Sequence, residues 1–255
     1  HLWFLYYLIM FSLLSWALAS ILQKGPTITR ALRAAFSLPH HFPPLALCVF
    51  ATLSFVCLYI MGSTFAITSM AFRPNAAVFL FYAVFYFYGW ALYKEQHFLQ
   101  SFIQNGWIFF ALGALLFALK KMLGYPANDS SLFYLSMAFN ALAIWSFVFG
   151  ISGLFLRYAA QPSARMRYLS DASYWIYLIH LPIAAFLPGL LMGFDLSPFV
   201  KCAAVLMLTS LISTLSYHYL VRATFVGQFL NGRKYAIGKG ALPAPAIHRT
   251  PLESA

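Results

Sequence analysis

Residues 173–182 read Ser173-Tyr174-Trp175-Ile176-Tyr177-Leu178-Ile179-His180-Leu181-Pro182, and they open an apolar run that continues to Met192. A run of about 20 residues is long enough to cross the hydrocarbon core of a bilayer as a helix. His180 lies about a third of the way along it. An ionisable side chain at that depth is costly in lipid, so it is expected to face protein, water or a substrate. Pro182 follows two residues later, lacks a backbone N–H and is expected to disturb the turn before it. A disturbed helix at membrane depth persists only where protein or a water-filled cavity satisfies the freed groups. The stretch therefore fixes both the fold class and the first place to look for a site.

The rest of the chain agrees with a membrane setting. It has 255 residues, 62% of them hydrophobic, 19% aromatic and only 8% charged, with a mean hydropathy of +0.78. Soluble domains carry about 25% charged residues, so these charges are too few to cover a water-facing surface. Seven spans are expected: 2–22, 45–61, 76–93, 102–119, 132–156, 173–192 and 199–221. Each has the length a helix needs to cross. The period-two alternation of a membrane β-barrel is absent. The expected fold is an all-α, polytopic transmembrane helix bundle over residues 1–222. A cytoplasmic tail, 223–255, is expected to be disordered after about Lys239.

Charge sorts by side. Of the 16 Lys and Arg, twelve fall after spans one, three and five or in the tail. Four (Arg73, Lys120, Lys121, Lys201) follow spans two, four and six. The positive-inside rule then places the C-terminus in the cytoplasm and His1 outside. The net charge of +11 is thus accounted for by topology. No aromatic-interleaved basic patch suggests nucleic acid. Cys48, Cys57 and Cys202 lie in apolar runs with no metal spacing, and read as small buried hydrophobes. His40-His41 lacks carboxylate or thiolate partners, so no metal site is expected. The chain starts directly in a span at His1, without Met or a basic n-region, as an N-terminally truncated fragment would.

On this orientation His180 lies roughly 10–15 Å from the cytoplasmic face, with Ser170 and Asp171 as expected N-caps of its helix. Tyr177 and Tyr174, three and six residues earlier, are expected on its face. His180 and Tyr177 are the candidate catalytic pair: an imidazole titrates near neutrality and can serve as general acid or base, and His180, with Tyr177 beside it, is expected to position or polarise the reacting carbonyl from the cytoplasmic half. Arg165 and Arg167 are explained by topology, and equally by a phosphate-bearing acyl carrier. His1-Leu2-Trp3-Phe4-Leu5-Tyr6-Tyr7 reads as an interfacial aromatic belt. Tyr217-His218-Tyr219 reads as side chains snorkelling to the interface. There is no Gly-rich phosphate loop, GxSxG elbow or HExxH. Paired buried carboxylates are missing too.

The stretch from Ser173 to Pro182 resembles the SYxIYLxHxP segment of the acyltransferase 3 family. His1-Leu2-Trp3-Phe4-Leu5 resembles that family's HLWFL segment. Arg222-Ala223-Thr224-Phe225-Val226-Gly227, followed by Leu230-Asn231-Gly232, is similar to the C-terminal end of the glucan-modifying succinyltransferase branch. The resemblance implies a bacterial inner-membrane enzyme of ten helices when complete, with its first three helices and main catalytic histidine upstream of His1. It implies acyl-CoA as donor substrate, no bound cofactor, and transfer of acetyl or succinyl to a hydroxyl of a glycan such as a periplasmic glucan. His1, Trp3, Tyr177 and His180 match motif positions, and Tyr174, Arg165 and Arg167 join the candidate substrate-binding set. Many relatives carry a glutamate where this chain has Tyr6-Tyr7-Leu8. The alternative from another class is a transporter or flippase of a lipid-linked sugar or small molecule. Its mark is opposed broken helices near the midplane, of which Pro182 and Pro188 supply one.

Overall fold

The computed structural model describes residues 2–24, 36, 42–68, 74–123, 130–161 and 163–232. The chain is all-α, and no strand occurs among the described residues. Among the described residues, seven helices are long and apolar enough to cross a membrane. Contacts divide the chain into two units, His1–Ala160 and Gln161–Ala255.

The first unit holds α1 (Trp3–Lys24), α2 (Pro43–Met61), α3 (Ala76–Lys94), α4 (Leu99–Leu123) and α5 (Ser130–Ala159). Proline at the start of α2 costs no hydrogen bond, since the first N–H groups of a helix have no partner inside it. At its end Gly62 takes the left-handed conformation (φ 65°) that closes a helix without a Cβ penalty. Asn75 caps α3, its Oδ1 accepting from the N–H groups of Ala77 and Val78 at 2.9 and 3.2 Å.

An aromatic core fills this unit. Trp145 of α5 is wholly buried. It stacks on Phe85 at 4.7 Å between ring centroids and meets Phe50 and Tyr88 at 4.9 Å. Its Nε1–H donates to Ser54 Oγ at 2.8 Å, which satisfies the one polar atom such a ring brings inside. Between α4 and α5 small residues let the backbones touch. A Cβ on Gly153 would lie 2.0 Å from the carbonyl oxygen of Phe102. One on Gly150 would lie 2.5 Å from the backbone nitrogen of Phe110. Close backbone approach at small residues is how membrane helices gain van der Waals contact when lipid is as apolar as leucine.

The alternating course of the spans is visible in one bond. Lys120, near the end of α4, donates from Nζ to the carbonyl of Thr64, just after α2, at 3.2 Å. Bulky apolar side chains such as Trp16, Ile108, Phe199 and Met207 are exposed along the helices. That is ordinary for lipid-facing surface and unusual for a monomer in water.

The second unit holds α6 (Ala164–Leu190), α7 (Pro198–Ser216) continued by one π-helical turn (Tyr217–Val221), and α8 (Phe225–Asn231). Two expectations are corrected here. The helix carrying His180 starts at Ala164, not near Ser173, and its cap is Ser163, whose Oγ accepts from Met166 N–H at 3.4 Å. Ser170 and Asp171 are interior, because no glycine or proline interrupts the polar turns that precede the apolar run. The helix also runs on through Pro182 and Pro188 without a break. Each proline removes one backbone bond, yet its fixed φ is compatible with a helix. Ser197 caps α7, its Oγ accepting from Val200 N–H at 3.4 Å.

The expected boundary at Arg222 separates membrane from tail and differs in kind from the division after Ala160. The first residues beyond Arg222 are structured: α8 packs Leu230 against Tyr217 and Val221. The expected disorder after Lys239 falls outside the described residues.

Candidate functional site

The rotation of α6 decides what its polar residues face. Ala172 is fully buried, and Tyr168, Trp175 and Ile176 pack on Tyr217 and Val221 at the end of α7. Trp175 Nε1–H donates to Ser216 Oγ at 3.0 Å, and that hydroxyl donates on to Ser213 O at 2.9 Å. This chain pins the helix about its own axis. At about 100° per residue, His180 then lies about 20° round from buried Leu187, on the flank of the α6–α7 seam. Its side chain is half-buried.

The His180 ring is held by the backbone of its own helix. Nδ1 lies 2.7 Å from the carbonyl oxygen of Tyr177 and 3.2 Å from that of Ile176. A carbonyl only accepts, so Nδ1 carries the hydrogen, and Nε2 is the acceptor nitrogen of the neutral ring. Nucleophile-activating histidines have the same arrangement, with one nitrogen committed to an orienting oxygen and the other to the reaction.

Tyr177 is also half-buried, its ring 5.7 Å from the imidazole centroid and tilted by 38°. Tyr174 lies about 120° round the helix from His180 and is 53% exposed. The tyrosine stripe thus winds from the seam toward the exposed side, and of its two tyrosines Tyr177 is the one that lies against His180.

Arg165 is exposed and Arg167 half-buried in the first turn of α6. The positive end of the helix dipole opposes cations there, so they do not stabilise the helix they begin. Near them lies a polar group that includes His218, a residue expected only to snorkel to the interface. Tyr168 Oη is 3.3 Å from His218 Nδ1, and the Arg222 guanidinium sits 5.4 Å over the Tyr168 ring. Asn231 Nδ2–H donates to the buried Tyr217 hydroxyl at 3.0 Å. A Cβ on Gly227 would lie 2.4 Å from the carbonyl of Val221, so α8 can press onto the π-helical turn only through glycine. No spacing in the sequence announces that turn, and π-bulges are frequent at functional sites.

In the first unit Trp3 is a packing residue. Its ring meets Tyr82 at 5.1 Å and Tyr7 at 5.9 Å, joining α1 to α3. His1 and the His40-His41 pair lie outside the described residues. Among the described residues no three of His, Cys, Asp and Glu converge as metal ligands would.

The whole of this arrangement, from the HLW segment to the start of the π-helical turn, falls within one family match. The sequence matches the acyltransferase 3 family, described as an acyltransferase domain, over residues 1–218. The chain belongs to the acyltransferase 3 family. With seven apolar helices among its described residues, this acyltransferase is a multi-pass membrane enzyme. No curated protein and no solved structure matched the chain. The acyltransferase 3 match includes Trp3, Tyr174, Tyr177, His180 and both N-terminal arginines of α6.

Proposed function

We propose that this acyltransferase moves an acetyl or succinyl group from cytoplasmic acyl-CoA to a hydroxyl of a glycan such as a periplasmic glucan, in a bacterial inner membrane with the C-terminus cytoplasmic. The observation that carries the reading is the clamp on His180. A ring whose Nδ1–H is spent on backbone carbonyls presents Nε2 as a proton acceptor. In the neutral form Nε2 cannot donate a hydrogen bond to a thioester oxygen, so the tautomer favours a base over a polariser.

The chemistry then runs as follows. The acceptor hydroxyl attacks the thioester carbon while its proton passes to Nε2. The tetrahedral intermediate collapses with cleavage of the carbon–sulfur bond. The proton returns from the imidazolium to the leaving thiolate. The product is an ester of the glycan plus free CoA. Tyr177 supplies the carbonyl that fixes the ring, Arg165 and Arg167 take the phosphates of the carrier, and Tyr174 contributes to substrate binding.

Membranes from cells expressing the protein, given acyl-CoA labelled in the acyl group, test this. Covalent label in the saponifiable carbohydrate fraction supports the reading. Label confined to CoA and free acid, with no ester formed on any glycan, counts against it.

A further inference from the structure

A cavity in the second unit is not used by the proposed chemistry. A groove of about 310 Å³ opens between the end of α6 and the start of α7, lined by Pro188, Leu191, Lys201, Cys202, Val205 and Leu206. Its lining is almost wholly apolar. The reason for the gap is local. Pro188 and the small side chain of Cys202 leave unfilled a space that larger residues would close.

Lys201 sets the chemistry of the opening. It is the fourth residue of α7, about 5 Å from the helix start, hence at the level of the membrane interface. Its side chain is half-buried, and among the described residues no acid pairs with its ammonium. Even Asp195, in the adjoining loop, makes no ion pair with it. A half-buried ammonium above an apolar slot is complementary to one kind of molecule: an anionic head on a hydrocarbon tail.

We propose that this groove is a binding site for an anionic glycerophospholipid, with one acyl chain in the slot and the phosphate on Lys201. The tail loses contact with water or disordered lipid against Val205, Leu206 and Leu191. The head replaces the hydration shell of a cation that has no acidic partner among the described residues. The site lies apart from His180 and does not depend on the acyl acceptor.

Native mass spectrometry of the detergent-purified full chain, with phosphatidylglycerol and phosphatidylcholine added in equal amounts, tests the site. One phosphatidylglycerol per chain is expected to survive activation that strips phosphatidylcholine. Lys201→Gln is expected to lower its retention about fivefold, the effect of one basic residue at an anionic surface. Val205→Trp, which fills the slot, is expected to abolish retention of both lipids. Leu211→Trp, on the exposed side of the same helix, is expected to change nothing. Equal retention of the two lipids by the unaltered protein overturns the proposal. So does unchanged phosphatidylglycerol binding in Lys201→Gln, a surface change that leaves the fold intact. A dimer that Val205→Trp dissociates also overturns it, by making the groove an interface between copies.

Discussion

His180 Nδ1 lies 2.7 Å from the carbonyl oxygen of Tyr177, one helical turn before it. This bond converts an otherwise rotating imidazole into an oriented one, and it does so through backbone. The side chain of Tyr177 is a neighbour of the ring, at 5.7 Å between centroids.

Tyr177→Phe is accordingly expected to keep most of the acyl-transfer activity, within about threefold of the unaltered protein. The carbonyl and the aromatic neighbour both survive the change. A fall of about 100-fold, the scale of losing a general acid or base, would instead place the phenol itself in the chemistry. Steady-state transfer of labelled acyl groups in membranes measures the difference.

The α4–α5 contact has no room for a methyl group at Gly153, where a Cβ would meet the Phe102 carbonyl at 2.0 Å. Gly153→Ala is expected to cost at least the ~1–3 kcal/mol typical of overpacking. The atom it meets is backbone and cannot swing aside. Gly89→Ala serves as control, since nothing lies within 4 Å of its Cβ. Thermal unfolding in detergent should fall for the first and hold for the second.

Ser54→Ala is expected to destabilise the first unit by about 1–3 kcal/mol, because it strands the buried Trp145 N–H. In a Trp145→Phe background the same change should cost much less. Equal costs in both backgrounds would show that the 2.8 Å bond carries no coupling.

Asn75→Ala removes both cap bonds at the start of α3 and is expected to cost about 1 kcal/mol. Asn75→Asp keeps the accepting oxygen and should restore the midpoint. The Tyr7 hydroxyl, which accepts from the Asn75 backbone N–H at 3.2 Å, is untouched by either change.

Much of this was legible before any coordinates. Seven spans followed from hydrophobic length alone, since the bilayer sets one yardstick for every helix. His180 stood out because an imidazole within an apolar run needs a reason. Its partner could be named only loosely. Spacing placed Tyr174 and Tyr177 together on its face, yet the pin from Trp175 to Ser216 turns Tyr174 outward. The start of α6 was misplaced because hydropathy marks where lipid begins, and a helix extends into water wherever caps and propensity allow. The Tyr168–His218–Arg222 group was invisible in sequence. Residues 50 or more positions apart meet there through a π-helical turn, and no periodicity encodes that turn.

The central claim is that Nε2 of His180 accepts the proton of the attacking hydroxyl. Its most direct test is transfer of labelled acyl groups to glycan by membranes carrying His180→Ala at the protein level of the unaltered enzyme. The account predicts that labelled ester falls by about 100-fold or more. Undiminished labelled ester at equal protein level would contradict it.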